Sequence, residues 1–121
     1  MSRLRKARHR WWSTVRVSPT PYFRPPYGSY DAETVAAAGG AGYRWTVMWD
    51  VNPSDWLQPG DGVVASRVLN AVRPGSIVVL HTLAGTARDL PAILAGLRAR
   101  NLTPVSLDEM FAAAGFGLRR R

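Results

Sequence analysis

The sequence predicts an α/β fold built on a parallel sheet, and three observations predict it. Strand-like apolar runs alternate with helix-like periods along residues 22–114. The run Ile77-Val78-Val79-Leu80 is continuously apolar, the pattern of a strand covered on both faces. Arg24, Asp50 and His81 stand at the ends of predicted strands. In parallel sheets and barrels the chemistry collects at those ends, so these residues are expected on one rim.

The elements follow in order. Residues 1–14 are charged and without a sustained period, a basic tail or arm. Val15 and Val17 flank Arg16 in a short alternating run. Ser18-Pro19-Thr20-Pro21 is a turn signal. Tyr22-Phe23-Arg24 reads as a strand that ends at Pro25-Pro26, because proline cannot donate to a ladder. Asp31 to Ala38 is helical, with Ser29 or Asp31 as cap and Gly39-Gly40 as stop. Tyr43 to Trp49 is rich in aromatic and β-branched residues and reads as a buried strand. A loop rich in proline and glycine surrounds Trp56. Val63, Val64, Leu69 and Val72 suit one face of a helix ending at Pro74-Gly75. After the 77–80 strand, Leu90, Ile93, Leu94 and Leu97 fall at i, i+3, i+4, i+7, with Thr86 as cap. Thr103-Pro104-Val105 reads as an edge strand, and Ser106-Leu107-Asp108-Glu109 as a capping box opening a last helix through Ala114.

At 121 residues, with 46% hydrophobic and 20% charged, the chain is one small globular domain at most. The absence of cysteine excludes disulfides and thiolate metal sites. No apolar run approaches the roughly 20 residues of a membrane span, and no secretory signal is visible behind the basic N-terminus. The net charge of +8 sits in two arms: six basic and no acidic residues in 1–16, then Arg119, Arg120 and Arg121. The body between them is near neutral, which argues against a nucleic-acid surface on the fold itself. The expected organisation is a basic tail over 1–16, a domain over 17–114 and a second tail over 115–121.

His81 is the only histidine outside the tail. It is either a rim histidine bonded to backbone or a general acid, since imidazole titrates near working pH. Asp55 is either a turn residue or a carboxylate that orients an imidazole. Trp56 offers a flat apolar wall to a sugar ring or anchors its loop. Arg24, held beside two prolines, suits pairing with a carboxylate. Tyr27 stands where a backbone N–H could meet an oxyanion, or simply packs a turn. Gly39-Gly40-Ala41-Gly42 follows a helix rather than preceding one, the wrong side for binding phosphate.

Arg24-Pro25-Pro26-Tyr27, Asp55-Trp56 and Val79-Leu80-His81, in this order and spacing, resemble the third, fourth and fifth motifs of the polysaccharide deacetylases, also called the NodB-homology domain or carbohydrate esterase family 4. The resemblance covers about residues 21–112. It implies the C-terminal half of a distorted (β/α) barrel with parallel strands. It implies hydrolysis of N-acetyl, or sometimes O-acetyl, groups on a carbohydrate polymer. The roles it implies are His81 as proton donor to the leaving amine, Asp55 as its orienting carboxylate and Arg24 as partner of the catalytic base. Tyr27, Trp56 and Val79 are implied in substrate binding, Val79 where the family usually carries leucine beside the acetyl pocket.

The resemblance also implies a divalent metal, commonly zinc, held by one aspartate and two histidines and activating water. Those ligands and the base belong to an Asp-Asp pair and an HxxxH motif, and neither occurs in the 121 residues. No metal ligand is therefore assigned here. The expectation is a truncated chain, inactive and without cofactor by itself, that acts on an acetylated polysaccharide when completed by a second half. A gene fragment or wrong start, a half that needs a partner, and a decayed copy all fit that expectation. Open sheet edges would favour self-association. Family members are usually exported or associated with the cell envelope. Two other readings are a non-catalytic carbohydrate-binding remnant using Trp56, and attraction of the arginine arms to nucleic acid or another anionic surface.

Overall fold

Ser18-Pro19-Thr20-Pro21 turns the chain into its first strand, with the Tyr22 amide donating to Pro19 O at 3.0 Å. The computed structural model describes residues 18–116, so the arms over 1–16 and 119–121 and the Val15–Val17 run lie outside the described residues. The chain divides into two compact units, Met1–Met48 and Trp49–Arg121.

In the first unit, β1 (Tyr22–Phe23), α1 (Ala32–Gly40) and β2 (Trp45–Thr46) follow one another, and the two strands are parallel. Tyr22 lies opposite Trp45 and Phe23 opposite Thr46. The ladder closes through Trp45 N–H to Pro21 O at 2.9 Å and Val47 N–H to Phe23 O at 2.7 Å. β1 stops before Pro25-Pro26 as expected. That stop limits its partner too, so the strand expected over Tyr43–Trp49 pairs only at Trp45–Thr46. Asp31 caps α1, accepting the Thr34 amide at 2.8 Å and the Thr34 hydroxyl at 2.9 Å. The helix runs through Gly39-Gly40 and stops instead at Gly42, whose φ of 94° suits glycine. There Gly42 N–H meets Gly39 O and Tyr43 N–H meets Ala38 O, a Schellman closure that buries Tyr43 and Ala38. Phe23 meets the Tyr43 ring edge-on at 6.4 Å.

The second unit opens with a single parallel bridge, Val51 opposite Val78. Val51 N–H donates to Ile77 O at 3.2 Å and Val79 N–H to Val51 O at 3.0 Å. The expected strand over 77–80 is thus an extended segment with one bridged residue; Val79 is buried, and Ile77, Val78 and Leu80 are half-buried. Three helices follow: α2 (Val63–Ala71), α3 (Ala84–Ala99) and α4 (Leu107–Ala113). Val64, Ala65 and Val68 of α2 pack with Ile93 of α3, joined by Val72, Val78, Leu80 and Leu97. At Gly96 a Cβ would overlap the Leu69 side chain, so glycine lets the two helices approach.

Two predicted helix faces hold in part: Ile93 and Leu97 on α3, and Val64 and Val72 on and just after α2, join the core as expected, while other positions differ. On α3 the buried positions are Thr86, Asp89 and Ile93, while Leu90 and Leu94 are exposed. Thr86 is no cap, since Leu83 holds that position. On α2, Val64, Ala65 and Val68 are buried and Leu69 is only half-buried. Residues 103–105 form no strand, in keeping with the N–H that Pro104 lacks. Ser106 caps α4 as predicted, accepting the Glu109 amide at 3.1 Å. Asn101, at φ 57°, and Gly115, at φ 84°, close α3 and α4 with the same double hydrogen bond seen at Gly42. The chain is α/β with parallel pairing, as the alternation predicts, but its strands are much shorter than the apolar runs. None of its helices, among the described residues, is long and apolar enough to cross a membrane.

Candidate active site

The site in the second unit grows from a loop that cannot relax into regular structure. Asn52 accepts the Ser54 amide at 3.0 Å through its side chain. Ser54 and Gln58 both take left-handed backbone angles, φ 53° and 50°, on either side of the 3-10 turn Asp55–Leu57. Such angles are unfavourable for residues with a Cβ, by about 1–2 kcal/mol each, so the surrounding contacts must hold them. Arg67, from α2, donates to Pro53 O at 3.0 Å and ties the loop down.

That turn places Asp55 where it is 2% exposed. Its Oδ1 lies 2.8 Å from His81 Nδ1. Its Oδ2 accepts the His81 backbone N–H at 2.7 Å and the Thr86 hydroxyl at 2.7 Å. Burial pushes the Asp55 carboxyl up, but the His81 backbone amide, the His81 ring and the Thr86 hydroxyl outweigh it and hold the carboxyl below its ordinary range. An ionised carboxylate only accepts hydrogen bonds, so the His81 Nδ1 facing it carries the proton. The nitrogen left to exchange a proton is Nε2, on a side chain that is 38% exposed. A buried anion gripping Nδ1 fixes the orientation of the half-open imidazole and leaves Nε2 as the nitrogen that can pass a proton.

The remaining candidates fall as follows. Trp56 is adjacent to Asp55, with its residue 55% exposed. Val79 is 6% exposed, and its amide is engaged by Val51 O. Asp50 accepts the Ile77 amide at 2.6 Å and so closes the Val51–Val78 bridge; that bond holds its carboxyl low. Arg24 and Tyr27 lie in the first unit, Arg24 exposed just after β1, and Tyr27 fully exposed at φ 57° within the turn Pro26–Gly28. Of the predicted residues, the structure brings Asp55 and His81 into direct contact. Sequence reasoning missed Thr86 and Asp89 as site and scaffold residues. The signal was present: stepping back from Leu97 and Ile93 by helical turns lands on both, as polar residues on a buried stripe.

Among the described residues no group of three or more histidine, cysteine, aspartate or glutamate side chains could hold a metal ion. Both Asp55 oxygens already accept hydrogen bonds, and His81 Nδ1 faces Asp55. These residues do not fit a catalytic zinc site, which needs three protein ligands and an open position.

No family model matches the chain. A chitooligosaccharide deacetylase from Bradyrhizobium sp. is 43% identical over 60 residues, 50% of this chain and 27% of that protein. One from Rhizobium leguminosarum bv. trifolii is 34% identical over 94 residues, 77% of this chain and 43% of its own length. The chain resembles the polysaccharide deacetylases. Among solved structures, a family 4 carbohydrate esterase pseudoenzyme from Bacillus anthracis superposes with a TM-score of 0.75 at 25% identity, over 88% of this chain and 37% of that one. A mutant of that pseudoenzyme is described as having restored enzymatic activity. The chain thus spans less than half the length of these deacetylase-like proteins.

Proposed function

We propose that this chain carries the acid side of a carbohydrate deacetylase site, and that its 121 residues do not turn over substrate by themselves. The Asp55–His81 pair carries this reading. Hydrolysis of an N-acetyl group breaks the amide C–N bond, and the amine leaves readily only if it gains a proton. His81, held at Nδ1 by a carboxylate below its ordinary range, presents Nε2 for that transfer. Trp56 offers a sugar ring an exposed indole beside the pair. The resemblance puts Val79 beside the acetyl methyl, where a residue 6% exposed would act as part of the apolar backing rather than as open surface. The attacking water needs a base and an electrophile that the described residues of this unit do not assemble. In the resembled family a divalent metal supplies that chemistry, and the donor set here does not hold one. The polymer on which the completed site acts is an acetylated polysaccharide of the chitooligosaccharide type, in keeping with the names of the aligned relatives.

The test is acetate release from N-acetylated chitooligosaccharides by the full chain, with and without added zinc. No release is expected in either condition. Zinc-dependent release that disappears in His81→Ala would overturn the inactivity of the chain while keeping the role of His81.

A second reading, binding of carbohydrate without turnover, is favoured by the exposure of Trp56 and Leu57, 55% and 59%. It predicts a sugar-induced change in tryptophan fluorescence that Trp56→Ala removes.

A further inference from the structure

We propose that Thr86 is a positioning residue for the His81–Asp55 pair: its hydroxyl, fixed in the first turn of α3, sets the rotation of the Asp55 carboxylate and so selects the Nδ1–H tautomer of His81. The inference rests on reading the pair as an acid–base unit only for its relevance to catalysis; the positional claim stands on geometry.

Asp55 Oδ2 has two donors, the His81 amide at 2.7 Å and the Thr86 hydroxyl at 2.7 Å. The His81 amide belongs to the same residue as the ring that Oδ1 holds, so those two bonds move together. Thr86 is the donor from a separate element. The terminal torsion of aspartate is broad, so the residue's own stereochemistry does not fix the plane of the carboxylate against the ring. Thr86 fixes it through its hydroxyl, which donates to Oδ2 from a packed helical turn. Thr86 is 7% exposed, and its helix is anchored in the same unit by the buried Asp89 and Ile93, three and seven residues on. Helix, hydroxyl, carboxylate and imidazole therefore form one chain of contacts, from the packed face of α3 to the ring that would transfer the proton.

The experiment is ¹⁵N NMR of the His81 ring nitrogens in the full chain near neutral pH, with His9→Gln used to assign the signals. Thr86→Val is compared with Thr86→Ser. Valine is the informative replacement because a cavity of about 180 Å³, lined by Asp55, Leu83, Thr86 and Arg88 among others, could admit a water in place of the hydroxyl if alanine were used. Loss of one hydrogen bond to a charged acceptor is expected to lower the ratio of Nδ1–H to Nε2–H tautomer roughly tenfold in Thr86→Val. Thr86→Ser is expected to keep the wild-type ring signals. A folded Thr86→Val chain with wild-type ring signals would overturn the proposal, and so would a folded Thr86→Ser chain with displaced ones. If Thr86→Val does not fold, Thr86→Cys, whose thiol is only a weak donor, takes its place: a smaller shift in the same direction is expected, and wild-type ring signals would overturn the proposal. Absent turnover or sugar binding bears on the functional reading and leaves the ring measurement intact; an unchanged ring removes Thr86 and leaves that reading standing.

Discussion

Asp89 accepts the Gly62 amide at 3.0 Å from 27 residues away, so α2 is capped by a side chain of α3. The second carboxylate oxygen takes the Ala65 amide at 3.1 Å. Gly62 has no side chain to cap with, and the free amides of a first helical turn need acceptors. The Gly62 and Ala65 amides hold the Asp89 carboxyl below its ordinary range. Asp89→Ala should leave those amides without acceptors and raise their hydrogen exchange roughly tenfold, which NMR would read. Exchange unchanged at Gly62 and Ala65 would mean that α2 is capped by other means.

Removal of the central carboxylate should cost more than any surface change. Asp55 accepts three hydrogen bonds while 2% exposed. Asp55→Ala strands the His81 amide and the Thr86 hydroxyl, and a loss of about 3 kcal/mol in urea unfolding is expected. A loss below about 1 kcal/mol would show that water replaces the carboxylate freely.

The contrast between Asp55 and Thr86 shows what the sequence could reveal. Asp55, His81 and the Ser106 cap were legible because a local motif or spacing fixed each. So was the α/β alternation, because the apolar periods change along the chain. The α3 face was read correctly at Ile93 and Leu97 and wrongly at Leu90 and Leu94. Leu90 and Leu94 satisfied a helical period, yet the buried stripe runs through Thr86 and Asp89, whose polarity is satisfied by partners 24 to 31 residues away. The positions continue the stripe of Ile93 and Leu97, but nothing local names the partners that make a polar residue acceptable there. Strand lengths failed for a related reason: pairing at Trp45–Thr46 is limited by where Pro25 stops β1, a non-local constraint on an apparently long run.

Acid should unfold the chain through several carboxylates acting together. The carboxyls of Asp31, Asp50, Asp55 and Asp89 are all held below the ordinary aspartate range, chiefly by the backbone amides that donate to them. A depressed carboxyl stabilises the fold wherever it is ionised in both states, above the unfolded value, and that contribution is lost as pH falls through the folded value. Stability should therefore show no loss from these groups above about pH 5 and decline below about pH 4. Urea midpoints measured from pH 6 to pH 3 would show it. Asp55→Asn should be less stable at pH 6 and fall less steeply below pH 4. An equal slope in that variant would mean that Asp55 contributes nothing to the acid transition.

Trp56 separates a functional aromatic from a structural one. A tryptophan that anchors its loop would be buried, and its truncation would destabilise by several kcal/mol, in the range of about 3–5 for core aromatics. Trp56 is 55% exposed and lies between the buried Asp55 and the exposed Leu57. Trp56→Ala should then shift stability by no more than about 0.5 kcal/mol in urea unfolding. In the same variant, the fluorescence response to chitooligosaccharide should vanish, because the stacking surface is gone. A large stability loss would return Trp56 to the scaffold, and a sugar response that survives would move carbohydrate contact to another aromatic of the chain.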